Sequence, residues 1–185
     1  MSGRKYSKSF EIALSAISCS VAVIALSLGI LSGYLLATGY FVAVIALMVP
    51  LSKQFYVGDA LAYLGTCILT VLMGVFGNYW DIVPFIMFFG LHPLINCLQI
   101  RFKINRWIAY AIKALWFDFT LWVAYIIIFK LALGGDLSQE GFYKILNDYV
   151  YYFIFIGGTV VFLFYDYIVF KCQVLVNAAV YRIRK

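Results

Sequence analysis

The chain has 185 residues, of which 65% are hydrophobic, 19% aromatic and only 12% charged, with a net charge of +6 and a mean hydropathy of +0.98. A soluble domain of this size has no means of covering so much apolar surface, so lipid is the solvent for most of it and the soluble globular classes are excluded. The positive charge would point to nucleic acid in a soluble protein, but here it sits at the ends of apolar runs, where it sets orientation in a membrane; no nucleic-acid partner is expected.

A spanning helix needs about 20 mostly apolar residues, and polar, glycine and proline punctuation cuts this sequence into six such stretches. They are predicted at about 10–31, 34–51, 57–76, 80–100, 107–133 and 149–176. A signal peptide has a shorter apolar core ending in a small-residue cleavage site; the first run instead continues for a full bilayer crossing and is expected to be retained. Transmembrane β-barrels would show alternating polarity over about ten residues, which is absent. The expected fold class is therefore all-α: an integral membrane six-helix bundle forming a single transmembrane domain over residues 1–185.

Six spans put both termini on one side. Arg4, Lys5, Lys8, Lys53, Arg101, Lys103, Arg106, Arg182, Arg184 and Lys185, ten of the 14 basic residues, fall on that side, against Lys130 and Lys144 near the other. The positive-inside bias makes both termini cytoplasmic. The outer face then carries the turn at Ser32 and Gly33, the turn from Gly77 to Asp81, and the segment from Gly134 to Asp148, where Asp136 and Gln139 suggest the cap of a short interfacial helix.

In the first span, Ala13, Ser15, Ala16, Ser18, Cys19, Ser20, Ala22 and Ala25 crowd one half, and pairs four apart such as Ala16/Ser20 and Ser18/Ala22 are both small. Helix association in lipid relies on packing, so small residues at this spacing expect a partner helix, either within the bundle or in another subunit. Cys19, Cys67, Cys97 and Cys172 lie in or beside apolar runs, with no CxxC pair and no flanking histidine, and are read as packing residues rather than disulfide or zinc ligands. No metal or cofactor is expected.

The polar residues inside the spans are the candidate site. Counting about 1.5 Å per residue, Lys113 lies about 10 Å in from Arg106 and Asp166 about 8 Å in from Lys171. An unpaired charge at such depth costs several kcal/mol. The two either form an ion pair between spans five and six, or Lys113 snorkels to the headgroups. His92 and Asp118 sit deeper, at about 13 and 18 Å, and together with Lys113 and Asp166 suit a buried polar network; each reads either as a solute or proton contact or as a packing hydrogen bond. Pro84 and Pro93 break span four and free carbonyls that a cavity or a neighbouring helix must satisfy. At its outer end Asn78, Tyr79, Trp80 and Asp81 form either an interfacial aromatic belt or a ligand platform. Trp116 and Trp122 lie too far inside span five for such a belt, and their indole N–H groups need acceptors. With one histidine, no metal-spaced cluster and no GxxxxGK[ST] loop, neither catalysis nor an ATP site in this chain is expected, although an intramembrane enzyme using His92 with Asp118 or Asp166 is a third, weaker alternative.

The segments MVPLSKQFYVGDALAYLGTCILTVLMG, FFGLHPLINCLQ and WIAYAIKALWFDF resemble the substrate-binding membrane subunits (S components) of energy-coupling-factor transporters, in particular an uncharacterised S-component-like group of Gram-positive bacteria. That group carries an FFG-x-x-P run followed by a lysine in an apolar fifth span, matched by Phe88, Phe89, Gly90, Pro93 and Lys113. The similarity covers spans two to five best. It implies a bundle in the bacterial plasma membrane that captures a vitamin or similar small solute from outside. It also implies that the first helix, through Ala13, Ala16, Ser20 and Ala22, docks onto a transmembrane coupling subunit driven by two ATPases. Two features depart from the S-component pattern: the turn after span one is shorter than the usual gating loop, and the vitamin-binding motifs are absent, which leaves the substrate open. The expected function is solute binding and uptake, with Asn78, Trp80, Asp81, Trp116, Asp118 and Trp122 as contacts; the alternative is a structural or regulatory membrane subunit.

Overall fold

The computed structural model describes residues 7–73, 79–127 and 149–182, and every regular element among them is helical. Helix α1 spans Lys8–Ser32, α2 Leu36–Leu51 and α3 Tyr56–Met73. The fourth segment is interrupted: a 3-10 turn at Tyr79–Ile82 and a π-turn at Phe85–Phe89 precede α4, His92–Arg101. Helix α5 spans Arg106–Tyr125, and α6, Gly158–Arg182, follows a π-turn at Phe153–Gly157. Four helical stretches are long and apolar enough to cross a membrane: Lys8–Ser32, Tyr56–Met73, Trp80–Arg101 and Val150–Tyr181. Helix α2 is apolar but only 16 residues long, about 24 Å against a hydrocarbon core of about 30 Å, while α5 carries Lys113 and Asp118 within its apolar run. The predicted caps at Asp136 and Gln139 lie outside the described residues.

Around an apolar core, burial departs from that of a soluble protein. Ile12, Leu31, Leu115 and Phe164 are each more than 60% exposed, while Asp59, Thr66, Thr70, His92, Lys113, Asp118 and Asp166 are buried. Apolar side chains outward and polar side chains inward is the arrangement of a membrane protein, in which lipid replaces water and polar groups must find partners inside.

The chain falls into two compact units, Met1–Leu98 with Lys171–Lys185, and Gln99–Phe170. In the first, Ser7 caps α1 by accepting from the Phe10 amide at 3.3 Å, and the turn into α2 uses Gly33 at φ 62°, a left-handed conformation open to glycine. Helices α1 and α2 approach at Gly29 and Gly39: a Cβ on Gly39 would stand 2.7 Å from the main-chain oxygen of Ala25. The two small pairs of α1 separate here. Ser18 and Ala22 are buried, whereas Ala13, Ala16 and Ser20 are exposed. At 3.6 residues per turn, Ala22 stands about 180° from Ala13, so it packs inside the unit and is not on the docking face predicted for it.

Pro93 occupies the second position of α4, where its missing N–H would have been unbonded in any case. Pro84 directly precedes the π-turn. The carbonyls freed by this interruption are taken up by neighbouring helices. The Tyr63 hydroxyl of α3 donates to the main-chain oxygen of Ile86 at 2.6 Å, and that of Tyr40 in α2 donates to the main-chain oxygen of Asp81. Gly90 leaves room for the Tyr63 ring, since a Cβ there would meet it at 2.6 Å. Tyr63→Phe should therefore cost about 1–3 kcal/mol, the penalty of a carbonyl left without a donor, read as a lower melting temperature in detergent. An unchanged melt would mean that another donor reaches Ile86.

Candidate functional site

The second unit holds a buried cluster of charged side chains. Asn105 caps α5 by accepting from the Trp107 amide at 3.0 Å, which fixes where the helix begins and thus the level of each residue along it. Lys113 and Asp118 are both buried, at 4% and 3% exposure. Lys113 Nζ stands 2.6 Å from Asp166 Oδ1 of α6, both side chains nearly inaccessible, and 5.0 Å from the Tyr110 ring centroid. The pair is thus charge-neutral within itself, and Lys113 does not snorkel.

Asp118 has a different environment. Thr159 Oγ1 of α6 lies 2.9 Å from its Oδ2, while Oδ1 has no hydrogen-bond partner among the described residues. Gly158 is what lets the carboxyl come so close, because a Cβ at that position would sit 2.7 Å from Oδ1. The opposing π-turn, Phe153–Gly157, ends directly before Gly158; such turns often mark places where a helix has been reshaped for function. Trp116 and Trp122 flank Asp118 on α5, both half-buried. The main-chain oxygen of Trp116 accepts from Thr120 Oγ1 at 2.9 Å, and the Trp122 ring packs 5.9 Å from that of Phe119. The unit therefore offers one buried carboxyl oxygen without a partner among the described residues, on the face of α5 that also carries Trp122 four residues on; Trp116, two residues before, lies on the opposite face.

In the first unit, His92 is fully buried, with its ring 5.0 Å from that of Phe88 and Nδ1 3.4 Å from Asn96 Nδ2. Trp80 and Asp81 are half-buried, the latter with its carbonyl committed to Tyr40. Asn78 lies outside the described residues. An open groove of about 520 Å³ runs between α1 and α3, lined by Lys8, Glu11, Ser15, Ala16 and Gly58 among others.

Three residues escaped the sequence reading. Asp59 of α3 is 1% exposed and neither of its carboxyl oxygens has a hydrogen-bond partner among the described residues; the rule that an intramembrane carboxylate is a candidate site applies to it as to Asp118. Gly158 and Thr159 gave no signal, because neither departs from an apolar run in hydropathy. No group of three or more His, Cys, Asp or Glu that could hold a metal occurs among the described residues. No family model matches the chain, and neither a curated protein nor a solved structure does.

Proposed function

We propose that this chain is the solute-capturing membrane subunit of an energy-coupling-factor-type transporter, seated in the bacterial plasma membrane with both termini cytoplasmic and taking up a small, vitamin-like solute. The observation that carries the reading is Asp118: a carboxyl deep in α5, half-satisfied by Thr159, with Oδ1 open and indoles four residues on and two residues before. Buried polar groups in lipid are costly, and an acceptor left unpaired among helices is a place for the donor of a ligand. Trp122, on the same face of α5 as Asp118, would supply an apolar wall and stacking face. The exposed small face of α1, Ala13, Ala16 and Ser20, suits close approach of a coupling subunit, with ATP hydrolysis supplied by two further chains.

The reading is tested by mass spectrometry of small molecules retained by the protein purified from native membranes. Asp118→Ala and Trp122→Ala should each lose the retained solute with little change in melting temperature. A solute retained equally by both variants would overturn it.

A structural or regulatory subunit is the second reading. It is favoured by the Lys113–Asp166 pair, which satisfies itself and needs no ligand, and by the open groove beside Ala16. It predicts that the same two substitutions lower the melting temperature and that no solute is retained by the wild type.

A further inference from the structure

We propose that Asp118 is a proton-binding site: in the resting protein its carboxyl is a neutral acid that donates to Thr159. This inference goes beyond the transport reading and does not depend on it.

The argument is a count of protons. Thr159 Oγ1 stands 2.7 Å from the main-chain oxygen of Phe155, four residues earlier, and 2.9 Å from Asp118 Oδ2. A threonine hydroxyl carries one proton and can donate fully to one acceptor. A main-chain oxygen has no proton of its own, so the contact with Phe155 requires the threonine proton. The same back-bond to the carbonyl four residues earlier recurs in this chain at Thr66 to Ala62, Thr120 to Trp116 and Ser20 to Ala16, and it is the habitual choice of a hydroxyl on a helix. With its proton committed to Phe155, Thr159 Oγ1 offers only lone pairs toward Asp118. A carboxylate at Oδ2 would then face lone pairs across 2.9 Å, whereas a carboxylic acid donates there and completes a chain from Asp118 Oδ2–H to Thr159 Oγ1–H to the carbonyl of Phe155.

The charges nearby do not alter this. Within the unit, Lys113 on α5 and Asp166 on α6 face each other at 2.6 Å and neutralise one another. Asp166 is seven residues beyond Thr159, about 10 Å along the helix. Tyr110 and Tyr125 on α5, and Tyr165 on α6, are the other titratable residues on these two helices nearest Asp118 in sequence, and none carries a positive charge at neutral pH. Among the described residues of its unit Asp118 forms no ion pair, at a depth where a lone charge is strongly disfavoured. Its other oxygen, Oδ1, has no donor among the described residues, which a neutral carbonyl oxygen tolerates far better than half of a carboxylate.

Infrared spectroscopy of the purified protein in lipid nanodiscs at neutral pH tests this. The wild type should show a carboxylic-acid carbonyl band with one component that vanishes in Asp118→Asn and survives in Asp59→Asn. Asp118→Asn should keep the wild-type melting temperature, because its amide N–H takes over the donation to Thr159. Thr159→Val should retain the component but shift it to higher frequency, since the acid O–H loses the hydroxyl to which it donates; this arm decides the matter if Asp118→Asn does not fold. If Asp118→Asn instead removes intensity from the ionised-carboxylate band and leaves the acid band intact, or if Thr159→Val leaves the acid band unmoved, the proposal is overturned.

Discussion

Lys113→Met alone, or Asp166→Leu alone, is expected to destabilise the protein by about 3–5 kcal/mol, whereas the double variant recovers most of that loss. The asymmetry follows from the environment of the pair. Both side chains are almost inaccessible and their charged atoms stand 2.6 Å apart, so neither charge has water to fall back on. Removing one partner leaves an uncompensated charge between helices. Removing both leaves an apolar contact of similar size, and buried ion pairs replaced in this way are often neutral or better, because the desolvation cost is lifted along with the attraction. Lys113 also lies 5.0 Å from the Tyr110 ring centroid, a secondary attraction worth about 0.5–2 kcal/mol, so Lys113→Met should cost somewhat more than the charge alone implies. Thermal melts of the four proteins in one detergent give the cycle. Additive single losses in the double variant would mean that the two charges are not coupled.

The second large effect is expected at Gly39. Gly39→Ala should cost about 1–3 kcal/mol, the range of overpacking, and Gly39→Leu more. A Cβ there meets the oxygen of Ala25 at 2.7 Å and the Cα of Gly29 at 3.1 Å. These are main-chain atoms of α1, so relief requires the two helices to separate, and with them the contact that buries Ala22 and Leu26. Gly157→Ala is the matched control, with nothing within 4 Å of its Cβ, and should stay within about 0.5 kcal/mol of wild type. Equal effects at the two positions would mean that steric contact with α1 does not set the cost.

The helical architecture was legible because lipid forces a simple rule: apolar runs of spanning length, ended by polar punctuation. The first three helices begin and end close to the predicted limits, α1 at Lys8–Ser32 against 10–31 among them; α6, Gly158–Arg182, starts later and runs further than the predicted 149–176. The ion pair was also within reach of the sequence, since counting residues inward put Lys113 and Asp166 at matching depths, and they meet. Facing was harder to read. A pair of small residues four apart states that one stripe of a helix is thin, but not which way it points; Ser18/Ala22 turned inward and Ala16/Ser20 outward. The environment of Asp118 was illegible for another reason. Its partner is a threonine and its close neighbour a glycine, residue types that hydropathy passes over, brought level with it by a π-turn that no periodicity announces. Likewise the tyrosines that satisfy the broken fourth helix, Tyr40 and Tyr63, look in the sequence like any other aromatic in an apolar run.

The transport reading is tested most directly by purifying the chain, tagged and in mild detergent, from the membranes of its native host and identifying what accompanies it. The proposed function predicts one integral membrane coupling subunit and ATPase subunits bearing the phosphate-cradling glycine loop that this chain lacks, in constant ratio to it, with that association lost in a variant carrying leucine at Ala13, Ala16 and Ser20. Recovery of the chain alone, with no retained solute, would contradict it.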